Sequence, residues 1–375
     1  MKTLLLPAIL LILSGTELAY AQSAVGPVQA RTPTSGFSSI GTHPDAALQP
    51  TARGRRIRAL EGWNGLLYAG FGDTAANTGP IAITPYDPIT QAFLPTGFLA
   101  DTEAISNFRP LAGSLYAACD DPGGSSDYIV GEPWINRNAV SAYHLWDMGT
   151  LTGTDLWLTG MSSPAASAVI WRSTNGGQTW GSSLELAAPA NHWSWFAFVG
   201  VYHGQVWVQA FDWNFQNFSL SAPRNSSMVF DGTSWTQGPD LLPVKSSRGY
   251  GYDGMDRGFG HRPMVFAPLD LMIYSNGLGK YMGVRGYTGT SPLYAFDGTQ
   301  PVVVWDDALD FIIDGRVLYT LTVDHTIHFT TDLVRWHRLA AAPADTLSIA
   351  MAAGRLLAGG DEGRLYRYDG PLPPP

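Results

Sequence analysis

The sequence predicts an all-β fold closed as a seven-bladed β-propeller, and two observations predict it. Of 375 residues only 14% are charged, while 42 are Gly, 26 Pro, 13 Trp, 16 Tyr and 16 Phe. That composition favours short aromatic strands joined by tight turns over long helices. The second observation is a unit made of a Gly or Asp turn followed by an apolar strand. It recurs at Asn64-Gly65-Leu66-Leu67-Tyr68, Ala112-Gly113-Ser114-Leu115-Tyr116, Gly153-Thr154-Asp155-Leu156-Trp157, His203-Gly204-Gln205-Val206-Trp207, Asp270-Leu271-Met272-Ile273-Tyr274, Asp314-Gly315-Arg316-Val317-Leu318-Tyr319 and Ala353-Gly354-Arg355-Leu356-Leu357. The anchors at 65, 113, 153, 204, 270, 315 and 354 stand 48, 40, 51, 66, 45 and 39 residues apart. Propeller blades have this spacing. A two-sheet sandwich with a second domain predicts neither the anchors nor their period.

Taken from the N-terminus, residues 1–21 read as a secretory signal. Lys2 supplies the positive start, Leu4 to Leu13 an apolar stretch too short to span a membrane, and Ala19-Tyr20-Ala21 the small-x-small cleavage pattern. The product is expected to be secreted or periplasmic, with no membrane partner. Residues 22–56 are rich in Gly, Pro, Ser, Thr and Ala and end in Arg53, Arg55 and Arg56, which reads as a leader into the domain. Cys119 is the single cysteine. No internal disulfide can form, and the thiol reads as a small buried hydrophobe.

The propeller is expected over residues 57–370, with a Pro-rich tail at 371–375. Its last unit supplies three strands, Leu347 to Ala353, Arg355 to Gly359 and Gly363 to Asp369. A fourth must come from elsewhere, and a segment near Arg56 to Glu61, or just upstream, is the expected closing strand. The net charge of −9 provides no field for a phosphate backbone, so nucleic acid is not an expected partner. A monomer is expected.

Three regions carry candidate chemistry. The longest interval holds Arg248, Tyr250, Tyr252, Asp253, Asp256, Arg257, His261 and Arg262 among five glycines, a concentration of bidentate donors and aromatic faces that suits anionic groups. A network of its own arginines and aspartates tying the loop down is the competing reading. A second region, Cys119-Asp120-Asp121-Pro122-Gly123-Gly124-Ser125-Ser126-Asp127-Tyr128, offers carboxylates for sugar hydroxyls, or for a structural or substrate-bridging cation, against ordinary turn duties. The third is a pair of histidines at strand starts, His144 in Tyr143-His144-Leu145-Trp146 and His192 in Asn191-His192-Trp193-Ser194-Trp195. Each is an acid/base candidate against a structural, hydrogen-bonded His. No zinc-type ligand set, P-loop, dinucleotide fingerprint or Gly-x-Ser-x-Gly elbow is present, so no metal and no cofactor is expected.

Ser173-Thr174-Asn175-Gly176-Gly177-Gln178-Thr179-Trp180 resembles the Asp-box turn, with Asn in the Asp position, and Thr330-Thr331-Asp332-Leu333-Val334-Arg335-Trp336 is a weaker relative. Sialidases carry such turns, but Phe108-Arg109-Pro110-Leu111 follows the first unit and lacks their Ile. Together with Ala104 to Tyr116 and His144 to Trp157, the hairpin resembles the seven-bladed propellers among ulvan-type polysaccharide lyases, and also exported and phage-tail propellers. That resemblance implies an acidic, uronate-containing polysaccharide cleaved by β-elimination. It carries His144 over as an acid/base or carboxylate-neutralising group; Tyr250 is taken as a second acid/base group, with Arg248 and Arg257 as neutralisers of the uronate carboxylate. Asp120, Asp121, His192, Trp193, Tyr252, His261 and Arg262 are the expected substrate contacts. The alternative class is a non-catalytic glycan- or protein-binding module using the same face. The family's upstream histidine is missing, since no His lies between His43 and His144.

Overall fold

A computed structural model describes residues 36–122, 126–214, 216, 219–221, 227–242, 262–275 and 292–374. Seven antiparallel sheets follow one another along the chain and close as a seven-bladed propeller. Blade 1 is built of Ala59–Trp63, Leu66–Gly70, Tyr86–Asp87 and Ala92–Phe93; blade 2 of Arg109–Leu111, Ser114–Ala118, Tyr128–Gly131 and Ile135–Arg137. Blade 3 comprises Ala142–Thr150, Leu156–Ser162, Ala168–Ser173 and Gly181–Leu186. Blade 4 comprises His192–Tyr202, Gln205–Asn214, Ser227–Phe230 and Trp235–Gln237. Blade 5 runs Met264–Phe266, Leu271–Ser275, Leu293–Phe296 and Pro301–Trp305, and blade 6 runs Ala308–Asp314, Val317–Thr322, Thr326–Thr330 and His337–Ala341.

Every anchor of the sequence repeat falls between the first and second strand of a blade. In four of them both central residues have positive φ: Asn64 and Gly65, Ala112 and Gly113, His203 and Gly204, Ala353 and Gly354. This geometry matches the right-handed twist of the flanking strands, so the repeat marks a turn in each blade where backbone sterics restrict the residue type.

Blade 7 contains Thr346–Ala352, Arg355–Gly360 and Arg364–Tyr368, and its fourth strand is Phe37–Thr42. Phe37 pairs with Tyr368 and Thr42 with Arg364. Of the two placements expected for the closing strand, the upstream one is found, while Arg56–Glu61 leads into the first strand of blade 1; the strand therefore falls in the segment read as a leader. The sequence does not mark this strand, because Ser38, Ser39 and Gly41 break its apolar alternation at an outer edge. His43 follows it and anchors it: its Nε2 donates to the Thr84 carbonyl at 3.0 Å and its Nδ1 accepts the Ala46 N–H at 3.3 Å, with the ring against Phe71 and Phe93.

The first strands surround a common channel that two arginines bridge. Arg109 Nε donates to the Met148 carbonyl at 3.0 Å and lies 3.3 Å from Asp147, while its terminal nitrogens reach Pro263 O and Val199 O. Arg262 donates to Leu60 O at 2.7 Å, Glu61 at 2.9 Å, Asp310 at 3.1 Å and Phe311 O at 3.2 Å. Neighbouring blades are also latched by aspartates: Asp147 accepts the Val199 N–H and Asp310 the Ile349 N–H. Cys119 is fully buried against Ser126, and burial pushes its thiol up to about 12. Among the described residues no helix is long and apolar enough to cross a membrane.

Candidate functional site

On the face where the first strands begin, blades 1 to 4 converge on a cleft of about 190 Å³ lined by Thr74, Ala75, Asp120, Asp121, His144, Trp146 and Trp193. Thr74 and Ala75 follow the second strand of blade 1, and Asp120 and Asp121 follow the second strand of blade 2. Blade 3 contributes His144 and Trp146, and blade 4 contributes Trp193, all near the starts of their first strands. Register shifts on either side of His144, between Ala142 and His144 and between Leu145 and Asp147, break the alternation of the strand. Bulges of this kind re-aim side chains at a rim, and His144 and Trp146 both line the cleft at this rim. Their ring centroids are 5.6 Å apart.

His144 Nδ1 sits 2.8 Å from the Asp120 carbonyl and 3.9 Å from Asp121 Oδ2. A carbonyl can only accept, so Nδ1 carries the proton and the neutral ring has its basic nitrogen at Nε2. Behind Asp121 stands Glu103, woven between two loops: the Asp73 N–H donates to its carbonyl, and its own N–H donates to the Asp121 carbonyl, each at 3.2 Å. The Glu103 and Asp121 carboxyl groups lie close enough to influence one another's charge. Burial, followed by the charge of Asp121 and of Asp73, raises Glu103 to about 7. Glu103 therefore exchanges its proton near neutral pH, well above an ordinary carboxylate. The Asn77 amide donates to Glu103 Oε1 at 2.7 Å.

Of the residues expected from the sequence to contact substrate, Asp120, Asp121 and Trp193 meet in this cleft together with His144. His192 does not line it; its Nδ1 lies 2.8 Å from the Ala190 carbonyl. Arg262 is also elsewhere. It is 3% exposed and lines a channel cavity of about 340 Å³ with Glu61 and Asp314, held in the ion network already described. Arg262 and His144 thus line two separate cavities. Arg248, Tyr250, Tyr252, Arg257 and His261 lie outside the described residues. Sequence reasoning passed over Asp73, Glu103 and Trp146. A signal for the first was present: Asp73 and Asp121 each stand eight residues beyond an anchor glycine, Gly65 and Gly113.

At the turn after the third strand of blade 3, Ser173 Oγ accepts the Gly177 N–H at 2.9 Å, Asn175 Oδ1 accepts the Thr179 N–H at 3.0 Å, and Trp180 Nε1 donates to the Gly177 carbonyl. Asp231, Asp297 and Asp332 accept backbone N–H groups at the same turn of blades 4, 5 and 6. These turns are occupied with holding hairpins and do not enter the cleft.

No protein-family model matches the chain, and no curated protein matches it. Solved structures do share its fold. The extracellular domain of a one component system from B. thetaiotaomicron superposes with a TM-score of 0.54 at 12% identity, over 92% of this chain and 43% of that one. A GH74 xyloglucanase from Xanthomonas campestris gives 0.51 at 15% identity over 90% and 54%. YCF48 bound to D1 peptide gives 0.50 at 9% identity over 92% and 99%. This chain thus spans about half the length of the first two. The class that fold and cleft define is a seven-bladed β-propeller with an aromatic and acidic cleft on one face.

Proposed function

We propose that this chain is an exported propeller that binds an extracellular glycan in the cleft between Trp146 and Trp193. The observation that carries the reading is the meeting of tryptophans from two blades with carboxylates and an imidazole in one concavity. Sugar rings present apolar C–H faces and rims of hydroxyls, and such a cleft meets both, the indoles by stacking and Asp121 and His144 by hydrogen bonding. Structural neighbours that include an extracellular domain and a xyloglucanase support a glycan role without fixing one. A protein ligand is the rival, given that one neighbour holds a peptide.

A second reading, uronate-lyase chemistry, is favoured by the place of His144 in the cleft. It needs a cation beside the sugar carboxylate, because the carbanion is otherwise too costly to form. The described walls supply carboxylates there, and the arginines at 248 and 257 would have to provide the charge. Binding to an array of immobilised neutral, acidic and amino glycans tests the first reading, and ultraviolet absorbance of the unsaturated uronate product tests the second. Retention of no glycan by the wild-type chain would sink both.

A further inference from the structure

We propose that the channel cavity of about 340 Å³ beside Arg262 is a second binding site, separate from the cleft and independent of the glycan reading above. Its ligand is small and neutral and enters through a secondary amide, whose carbonyl accepts from Arg262 and whose N–H donates to Glu61. The cavity lies where first strands end: Glu61 and Gly62 come from the end of Ala59–Trp63, Ile313 and Asp314 from the end of Ala308–Asp314, and Met351 from the end of Thr346–Ala352. The cleft lies at the other ends of these first strands.

One unmade hydrogen bond carries the argument. A guanidinium has five N–H donors, and the terminal nitrogens of Arg262 spend theirs on Leu60 O, Glu61, Asp310 and Phe311 O. The remaining donor, on Nε, is removed from water and has no hydrogen-bond partner among the described residues. A buried donor left unmade is costly, and Arg262 itself lines the cavity from which an acceptor can reach it.

The rest of the wall restricts what that acceptor belongs to. Arg262 already faces two carboxylates, Glu61 and Asp310, and Asp314 adds another to the cavity lining, so an anion meets like charge. A cation offers no acceptor. Met264, Ile312 and Met351 supply apolar wall, against which a sugar ring fully inserted would bury several hydroxyls without partners. A secondary amide has one acceptor and one donor flanked by carbon, and it matches the Nε–H, the Glu61 carboxylate and the apolar wall together. The acetamido group of an N-acetylated sugar and the end of a neutral peptide both present it, and the volume is that of a small-ligand site.

The test is an NMR titration of the full chain carrying isotope-labelled arginine, read at the Arg262 Nε–H resonance, with N-acetylglucosamine, N-acetylalanine methylamide, glucose and acetate as probes. At least one of the two amides should move that resonance downfield and saturably, with an affinity about tenfold above glucose or acetate, the size of one hydrogen bond to a charged group. Which amide does so separates an acetylated sugar from a peptide end. Met351→Trp fills the cavity from a half-buried position outside the ion network and should abolish the shift while the thermal transition is kept. A resonance that neither amide moves, or that glucose or acetate moves with equal affinity, overturns the proposal from the wild-type chain alone. So does a shift of full size in a folded Met351→Trp variant. The resonance belongs to the channel, so sugar bound in the cleft does not enter the readout, and failure here leaves the glycan reading standing.

Discussion

Arg262 and Asp310 form an ion pair at 3.1 Å in the middle of the channel, with both side chains almost completely removed from water. The same guanidinium reaches Glu61 at 2.9 Å, so one side chain from the approach to blade 5 ties blades 1 and 6 together. Burial raises the Glu61 carboxyl, and the Arg262 charge is the main force opposing that rise.

Removing the guanidinium leaves two carboxylates buried without their counter-charge. Arg262→Met should therefore lower unfolding stability by about 3–5 kcal/mol, the usual cost of breaking a buried pair from one side. Urea denaturation followed by tryptophan fluorescence measures it. A loss under about 1 kcal/mol would mean that the channel pair contributes little to closure.

His43 makes ring closure sensitive to acid. Burial lowers it to about 4 against an ordinary value of 6.5, and a proton on Nδ1 would remove the acceptor for the Ala46 N–H. The unfolded chain binds that proton more readily, so stability falls as pH drops below 6.5 and the loss saturates near 4. At pH 5 the cost from this one residue is about 2 kcal/mol. His43→Gln should flatten stability between pH 4 and 6.5 relative to wild type, and parallel curves for the two proteins would refute the assignment.

Ala112 and Ala353 occupy left-handed turn positions, at φ 50° and 48°, where Asn64 stands in blade 1. A left-handed Ala costs about 1–2 kcal/mol, and Gly escapes that cost while losing about 0.5–1 kcal/mol of chain entropy. Ala112→Gly and Ala353→Gly should each raise stability by about 0.5–1 kcal/mol on this balance. Thermal denaturation of the single and double variants checks it, and a lower Tm for both singles contradicts the argument.

These turns also explain what was legible in the sequence. A positive φ admits few residue types, so seven similar turns leave seven visible marks, and blade number follows from counting them. The closing strand left no such mark: Phe37–Thr42 is specified by its pairing with Arg364–Tyr368, more than 300 residues away in sequence. The cleft was half legible. Asp120, Asp121, His144 and Trp193 stood out as chemistry-bearing residues at strand ends, but nothing local marks Glu103 as their neighbour, because it enters through loops packed between blades 1 and 2. The place of Arg262 was not legible for the converse reason. An arginine facing a ligand and one bridging strands inside a channel are the same letter, and only burial separates them.

Trp193 offers the most direct test of the cleft. It is half-buried beside the cluster that contains Trp146 and Trp195, so its outer surface remains for a ligand while its inner edge packs. Aromatic anchors in central concavities commonly contribute 2 kcal/mol or more to binding. Trp193→Ala should accordingly weaken binding of whichever glycan the array identifies by about 30-fold. Near-ultraviolet circular dichroism should retain the wild-type band pattern apart from the lost indole, which separates loss of contact from loss of fold. His192→Ala, one residue away and turned toward the Ala190 carbonyl, should bind within about twofold of wild type. If Trp193→Ala retains full affinity while His192→Ala loses it, the ligand lies outside this cleft.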